Sequence, residues 1–105
     1  MIDETYIKNK ILNDVLDNKS FKIKDMDTFK SELCNLNVKE VVDSFNNVLQ
    51  DPEWVGYQLN KSWDLYYDLG NKFLKTLLNK KIVETTGYDE INILFMYGNE
   101  PLHKL

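Results

Sequence analysis

One imidazole, one thiol and two pairs of neighbouring carboxylates are the groups in this chain that could do chemistry. His103 would be the general acid or base, but it lies close to the C-terminal residue, where chains fray and no pocket holds a ring still. Cys34 would be the nucleophile. It has no motif and no histidine nearby in sequence, so a half-buried small apolar residue within a helix is the expected state. Asp64 and Asp68 are one helical turn apart and share a face, yet two carboxylates without a histidine or further acids are thin for a metal. Lys61 and Lys72 are spaced to neutralise them along the helix. Asp25 and Asp27 lack the rest of a calcium loop and read as helix caps, and no glycine-rich loop precedes a helix to cradle phosphate. The expectation is a protein that is not an enzyme and needs no metal or cofactor.

A binding role has more to stand on. Between Asp51 and Asp68 the chain places Trp54, Tyr57, Trp63, Tyr66 and Tyr67 among the acids Asp51, Glu53, Asp64 and Asp68, with Lys61 the only base. Large flat side chains bury much area at low entropic cost, and carboxylates around them suit a basic partner. Trp63, Tyr66, Phe73 and Leu77 stand at helical spacing and fit a core. Trp54 and Tyr57 lie beside an expected corner and near Gly56, where side chains often stay partly exposed.

Composition narrows the partner. All thirteen bases are lysine, there is no arginine, and the net charge is -4. Without guanidinium groups the chain lacks the bidentate fork for phosphate and guanine edges, so direct nucleic-acid binding is disfavoured. The 105 residues, 43% apolar and 29% charged, fit a single domain with one core spanning 1–105. A lone cysteine excludes an internal disulfide and fits a reducing compartment. The acidic N-terminus does not resemble a signal peptide, and the longest apolar run, Ile93 to Tyr97, is too short for a bilayer. The cytoplasm is the expected location, with no membrane contact.

The periodicity predicts a mainly α fold, a compact bundle of four to five helices. Ile7, Ile11, Leu12, Val15 and Leu16 mark the first, with Asp3 or Thr5 as cap and Asn18 near its end. Ser20 to Lys24 alternates polar and apolar, and a connector with two buried anchors is favoured over a strand. Asp27 caps a short helix through Phe29, Leu33 and Leu36; Asn37 and Glu40 then stand at capping-box spacing before Val38, Val41, Val42, Phe45, Val48 and Leu49. Asp51-Pro52-Glu53 reads as a stop followed by a restart, a sharp corner with Pro52 suited to the first turn of a new helix behind an Asp cap. The longest element carries Trp63, Tyr66, Tyr67, Gly70, Phe73, Leu74, Leu77 and Leu78, with Asn60 or Ser62 as cap. Gly70 on that stripe points to close approach of a neighbouring helix. Leu65 and Leu69 fall off the stripe, so the apolar face is either unusually wide or partly open to a partner. Residues 82–86 are read as helix ending at Gly87; the alternative is an α+β fold with a C-terminal β-hairpin over 82–97.

Small, acidic, mostly helical, aromatic-bearing and without catalytic equipment, the chain resembles the immunity proteins that neutralise bacterial nuclease toxins, of the colicin or contact-dependent inhibition type. The segment that carries the resemblance is Asp51 to Asp68. The resemblance implies an inhibitor whose carboxylates occupy the toxin's basic cleft, with Asp51, Glu53, Asp64 and Asp68 as charged contacts and Trp54, Tyr57 and Tyr67 as anchors. Two other readings are a phage or regulatory protein docking on a host factor through Val55, Leu65 and Leu69, and a homodimer that buries the wide helix face against itself.

Overall fold

Asp3 opens the first helix. Its backbone is extended and its carboxylate accepts the Tyr6 amide at 2.8 Å, so α1 runs Glu4–Asp17 and ends at Asn18. The computed structural model describes residues 1–50 and 55–86, without the side chains of residues 55–58. In chain order α1 is followed by β1 (Phe21–Ile23), α2 (Met26–Cys34), α3 (Lys39–Leu49), α4 (Val55–Asn79) and β2 (Val83–Thr85). The fold is mainly α with a small two-stranded sheet.

Three helix starts differ from the sequence reading, each for a local reason. Asp25, not Asp27, caps α2, because Thr28 gives it two donors: the amide at 3.2 Å and the hydroxyl at 2.7 Å. The capping box at Asn37 does not form. Val38 is fully buried and occupies the N-cap position of α3, leaving the Asn37 side chain to accept the Lys39 amide at 3.1 Å. Nor do Asn60 and Ser62 begin a helix, since α4 already starts at Val55 and continues without a break through the buried Gly70. Ser62 is fully buried, and its hydroxyl lies 2.7 Å from that of Ser44 on α3. The expected corner at 51–53 lies outside the described residues.

The apolar stripes meet as foreseen. Ile7, Ile11 and Val15 of α1, Phe29 and Leu33 of α2, Val41, Val42, Phe45 and Val48 of α3, and Leu59, Trp63, Tyr66, Phe73, Leu74 and Leu77 of α4 form one buried cluster. Leu16 and Leu49 are exposed instead. Polar clips hold the helices in place: Lys8 Nζ donates to the Cys34 carbonyl at 2.7 Å, at the negative end of α2, and Lys80 pairs with Glu32 at 3.0 Å. Asn46 on α3 grips both backbone groups of Ile2, accepting its amide at 2.8 Å and donating to its carbonyl at 2.9 Å.

The sheet corrects two expectations. Residues 20–24 are not a mere connector, and residues 82–86 do not continue a helix. β1 and β2 pair antiparallel with Phe21 opposite Thr85 and Ile23 opposite Val83. Flanking bonds extend the ladder from Lys24 N to Ile82 O at 2.8 Å and from Thr86 N to Ser20 O at 2.9 Å. The turn that sets this up is at the end of α4. Ile82 N bonds Leu77 O at 2.9 Å and Lys81 N bonds Leu78 O at 3.1 Å, which is a Schellman closure with Lys81 at the left-handed position, φ 61°. The buried Ile82 and Leu77 supply its apolar contact. Residues 87–97, the expected Gly87 cap and the second half of the alternative hairpin, lie outside the described residues.

Two outcomes check these local arguments. Lys81 carries a Cβ where glycine is the usual residue, so Lys81→Gly should raise unfolding stability by about 0.5–1 kcal/mol in urea titration. The Asp25 carboxyl is held below its ordinary value near 3.8, first by the Thr28 hydroxyl and then by the Thr28 amide. A carboxylate lowered on folding stabilises above its unfolded pKa, and that contribution is lost as pH falls through the folded one. Asp25→Asn should therefore lose stability at neutral pH and show a shallower decline on acidification below roughly pH 4.

Candidate functional site

Of the aromatics between Asp51 and Asp68, the three with described side chains, Trp63, Tyr66 and Tyr67, face inward. Trp63 meets Phe45 of α3 edge-on at 5.0 Å and 77°, meets Tyr66 edge-on at 5.7 Å, and stacks on Tyr67 at 6.0 Å and 24°. From α1, the Lys10 ammonium lies 5.2 Å from the Trp63 ring and 5.5 Å from the Tyr66 ring. Asp14 completes the contact: it pairs with Lys10 at 3.2 Å and accepts the Tyr66 hydroxyl at 2.6 Å. Helical spacing puts Lys10 and Asp14 one turn apart on α1, as it does Trp63 and Tyr67 on α4.

Tyr67 is therefore corrected. It was expected as an anchor for a partner, and it is only 5% exposed, because its position one turn after Trp63 places it on the same core-facing arc. Trp63 and Tyr66 are buried as their spacing predicted. The indole Nε1 of Trp63 and the hydroxyl of Tyr67 are buried without a hydrogen-bond partner. Asp64 and Asp68 point outward and are exposed. Asp51, Glu53 and Trp54 lie outside the described residues, and so does the side chain of Tyr57. The expected acidic and aromatic face is thus divided: two of its acids lie outside, and Trp63, Tyr66 and Tyr67 are in the core.

An open groove does appear, on the outer side of the α3–α4 pair. It is about 590 Å³ in volume and is lined by Asn37, Lys39, Glu40, Asp43, Ser44 and Asn47 of α3 and by Leu65 of α4. Glu40, Asp43, Ser44 and Asn47 follow the i, i+3, i+4, i+7 rhythm, the polar complement of the valine stripe on the same helix. That rhythm was readable in the sequence, but only tertiary contact shows which polar stripe borders a groove. Leu65 is half-buried, as is Leu69, which resolves the off-stripe leucines as the outer margin of a wide apolar face. At 100° per residue, Asp68 lies about 60° and Asp64 about 100° from Leu65 around the axis, with Lys61 and Lys72 between them and the groove. Glu40, Asp43, Asp64 and Asp68 form no ion pair with a described residue. A smaller depression of about 380 Å³ between the end of α4 and β2 is lined by Lys24, Leu78, Asn79, Lys81, Val83 and Glu84, and of its three charged residues Lys24 and Glu84 lie 3.9 Å apart.

Little else on the described surface is equipped for chemistry. Among the described residues no three or more His, Cys, Asp or Glu side chains gather where a metal could be held, and no helix is long and apolar enough to cross a membrane. Cys34 departs from expectation: at the last residue of α2 it is exposed rather than half-buried. His103 lies outside the described residues.

The neighbouring tyrosines should respond oppositely to losing their hydroxyls. Tyr66→Phe removes a charge-assisted bond to Asp14 and should cost about 1–2 kcal/mol in urea unfolding, whereas Tyr67→Phe removes an unpartnered buried hydroxyl and should be neutral or stabilising by up to about 1 kcal/mol. Comparison with known proteins places the chain in no group: no protein-family model, no curated protein and no solved structure matches it.

Proposed function

We propose that this chain acts by binding another protein, as an inhibitor of the immunity type that neutralises a basic nuclease toxin. The observation that carries the reading is the α3–α4 groove, where the half-buried Leu65 is bordered by Glu40 and Asp43, with the exposed Asp64 and Asp68 farther round α4. An apolar centre with a polar margin is the anatomy of a protein interface, and carboxylates not already paired speed the approach of a cationic partner. Leu65 takes the role of anchor that Tyr67 was expected to have. Of the remaining expected contacts, Asp64 and Asp68 stay in the set as charged margin. The attraction is local, because Lys39, Lys61 and Lys72 stand among the acids.

A second reading draws on the half-buried Leu65 and Leu69: docking on a host factor through the apolar face, with the charges incidental. Salt distinguishes the two. With a basic partner recovered at low salt and identified by its nuclease activity, added chain should abolish that activity. The variant Glu40→Gln, Asp43→Asn, Asp64→Asn, Asp68→Asn should associate roughly tenfold more slowly and lose its salt dependence, while Leu65→Asp should mainly speed dissociation. Unchanged association in the fourfold variant, with Leu65→Asp still disruptive, would favour the apolar reading. A captured partner without nuclease activity would remove the toxin from the account.

A further inference from the structure

Among the described residues Lys81 alone, apart from glycine, has a left-handed backbone, and it lines the depression between the end of α4 and β2. Glycine would take φ 61° there without strain. A residue held in such a conformation commonly marks a side chain with a task. No ion pair with a described residue accounts for the Lys81 charge.

The ladder brings a second ammonium to the same place. Lys24 donates its amide to the Ile82 carbonyl at 2.8 Å, one residue beyond Lys81, and its side chain lines the depression too. Its contact with Glu84 is 3.9 Å long with both side chains about half exposed, too long and too wet for either charge to cancel the other. Leu78, half-buried, and Val83, buried, supply apolar surface, and Asn79 supplies an amide.

The lining thus carries two positive charges against one negative, an excess that a single carboxylate balances. The end of a helix ordinarily repels an anion, but the amides of Lys80, Lys81 and Ile82 bond the carbonyls of Thr76, Leu78 and Leu77 and dull that negative end. We propose that this depression binds a small monocarboxylate on an apolar stem, with its oxygens between Lys24 and Lys81 and its stem on Leu78 and Val83. A phosphate monoester, with nearly two charges, overfills the balance, and an ammonium meets both lysines. None of these residues lines the α3–α4 groove, and binding here does not depend on what that groove takes.

Hexanoate is the probe, titrated at low salt into the intact, nitrogen-labelled chain and followed by amide shifts in NMR, beside hexanol and hexylamine, which share its stem. Hexanoate should saturate, shift the amides of Lys24 and of residues 78–84, and bind at least about tenfold more tightly than either analogue. Lys81→Gly is the decisive variant. It relaxes the turn yet removes the ammonium, so unfolding stability should rise while hexanoate binding weakens by about fivefold. Lys24→Gln should weaken binding to a similar extent, and Lys75→Gln, exposed on α4 outside the depression, should leave it unchanged. The site is refuted if hexanoate gives no saturable shift, if hexanol or hexylamine binds as well, or if Lys81→Gly or Lys24→Gln, folded by circular dichroism, retains wild-type affinity. A loss in Lys75→Gln equal to that in Lys81→Gly would show general charge attraction in place of a site, and would overturn it equally.

Discussion

The contact between α1 and the middle of α4 is the constraint on which the rest of the structure depends. Asp14 accepts the Tyr66 hydroxyl and pairs with Lys10, whose ammonium lies over the Trp63 and Tyr66 rings. Rings that bury large apolar area while satisfying one polar group fix the rotation of a helix more tightly than aliphatic packing, because turning the helix would strand a charged partner. With α4 set in that orientation, Phe45 of α3 fits against Trp63 and Ser44 meets Ser62. Everything on the outer arc follows, including the outward direction of Asp64 and Asp68 and the half-exposure of Leu65.

The same constraint changes what the aromatic-rich segment does. A run of rings among acids looks like a binding face when read along the chain, but a helix distributes its residues around an axis. Trp63, Tyr66 and Tyr67 go one way and Asp64 and Asp68 the other. The acids and the rings are neighbours in sequence and opposites in space. The unpartnered Trp63 indole and Tyr67 hydroxyl show that these rings are placed by packing, with polar satisfaction reserved for Tyr66.

The small sheet performs a second task, bringing the end of α4 back to the start of α2. β1 and β2 are separated by most of the chain, and three residue pairs with their flanking bonds close that distance. Such a short ladder holds because it is continuous with the core through Phe21 and Val83 and because the turn at Lys81 aims the chain at it. A lysine in a left-handed conformation is locally unfavourable, and the Schellman bonds and the burial of Ile82 offset it.

By itself the sequence determined the helical class and most of the core, since Ile7, Ile11, Val15, Phe29, Val41, Phe45, Trp63, Phe73 and Leu77 repeat at the spacing that a 3.6-residue period buries. It also narrowed the first cap to Asp3 or Thr5, and Asp3 takes the role because it needs only its own next turn. Tertiary structure alone decided whether 20–24 and 82–86 are strands, as each is too short to hold a strand without the other. It decided that Asp25 rather than Asp27 begins α2 and that Val38 displaces a capping box, where burial of one side chain outweighs a local hydrogen bond. It also decided the site. A polar stripe on α3 and a leucine off the stripe of α4 are each unremarkable along the chain, and only the packing of two helices against each other makes them the walls of one groove.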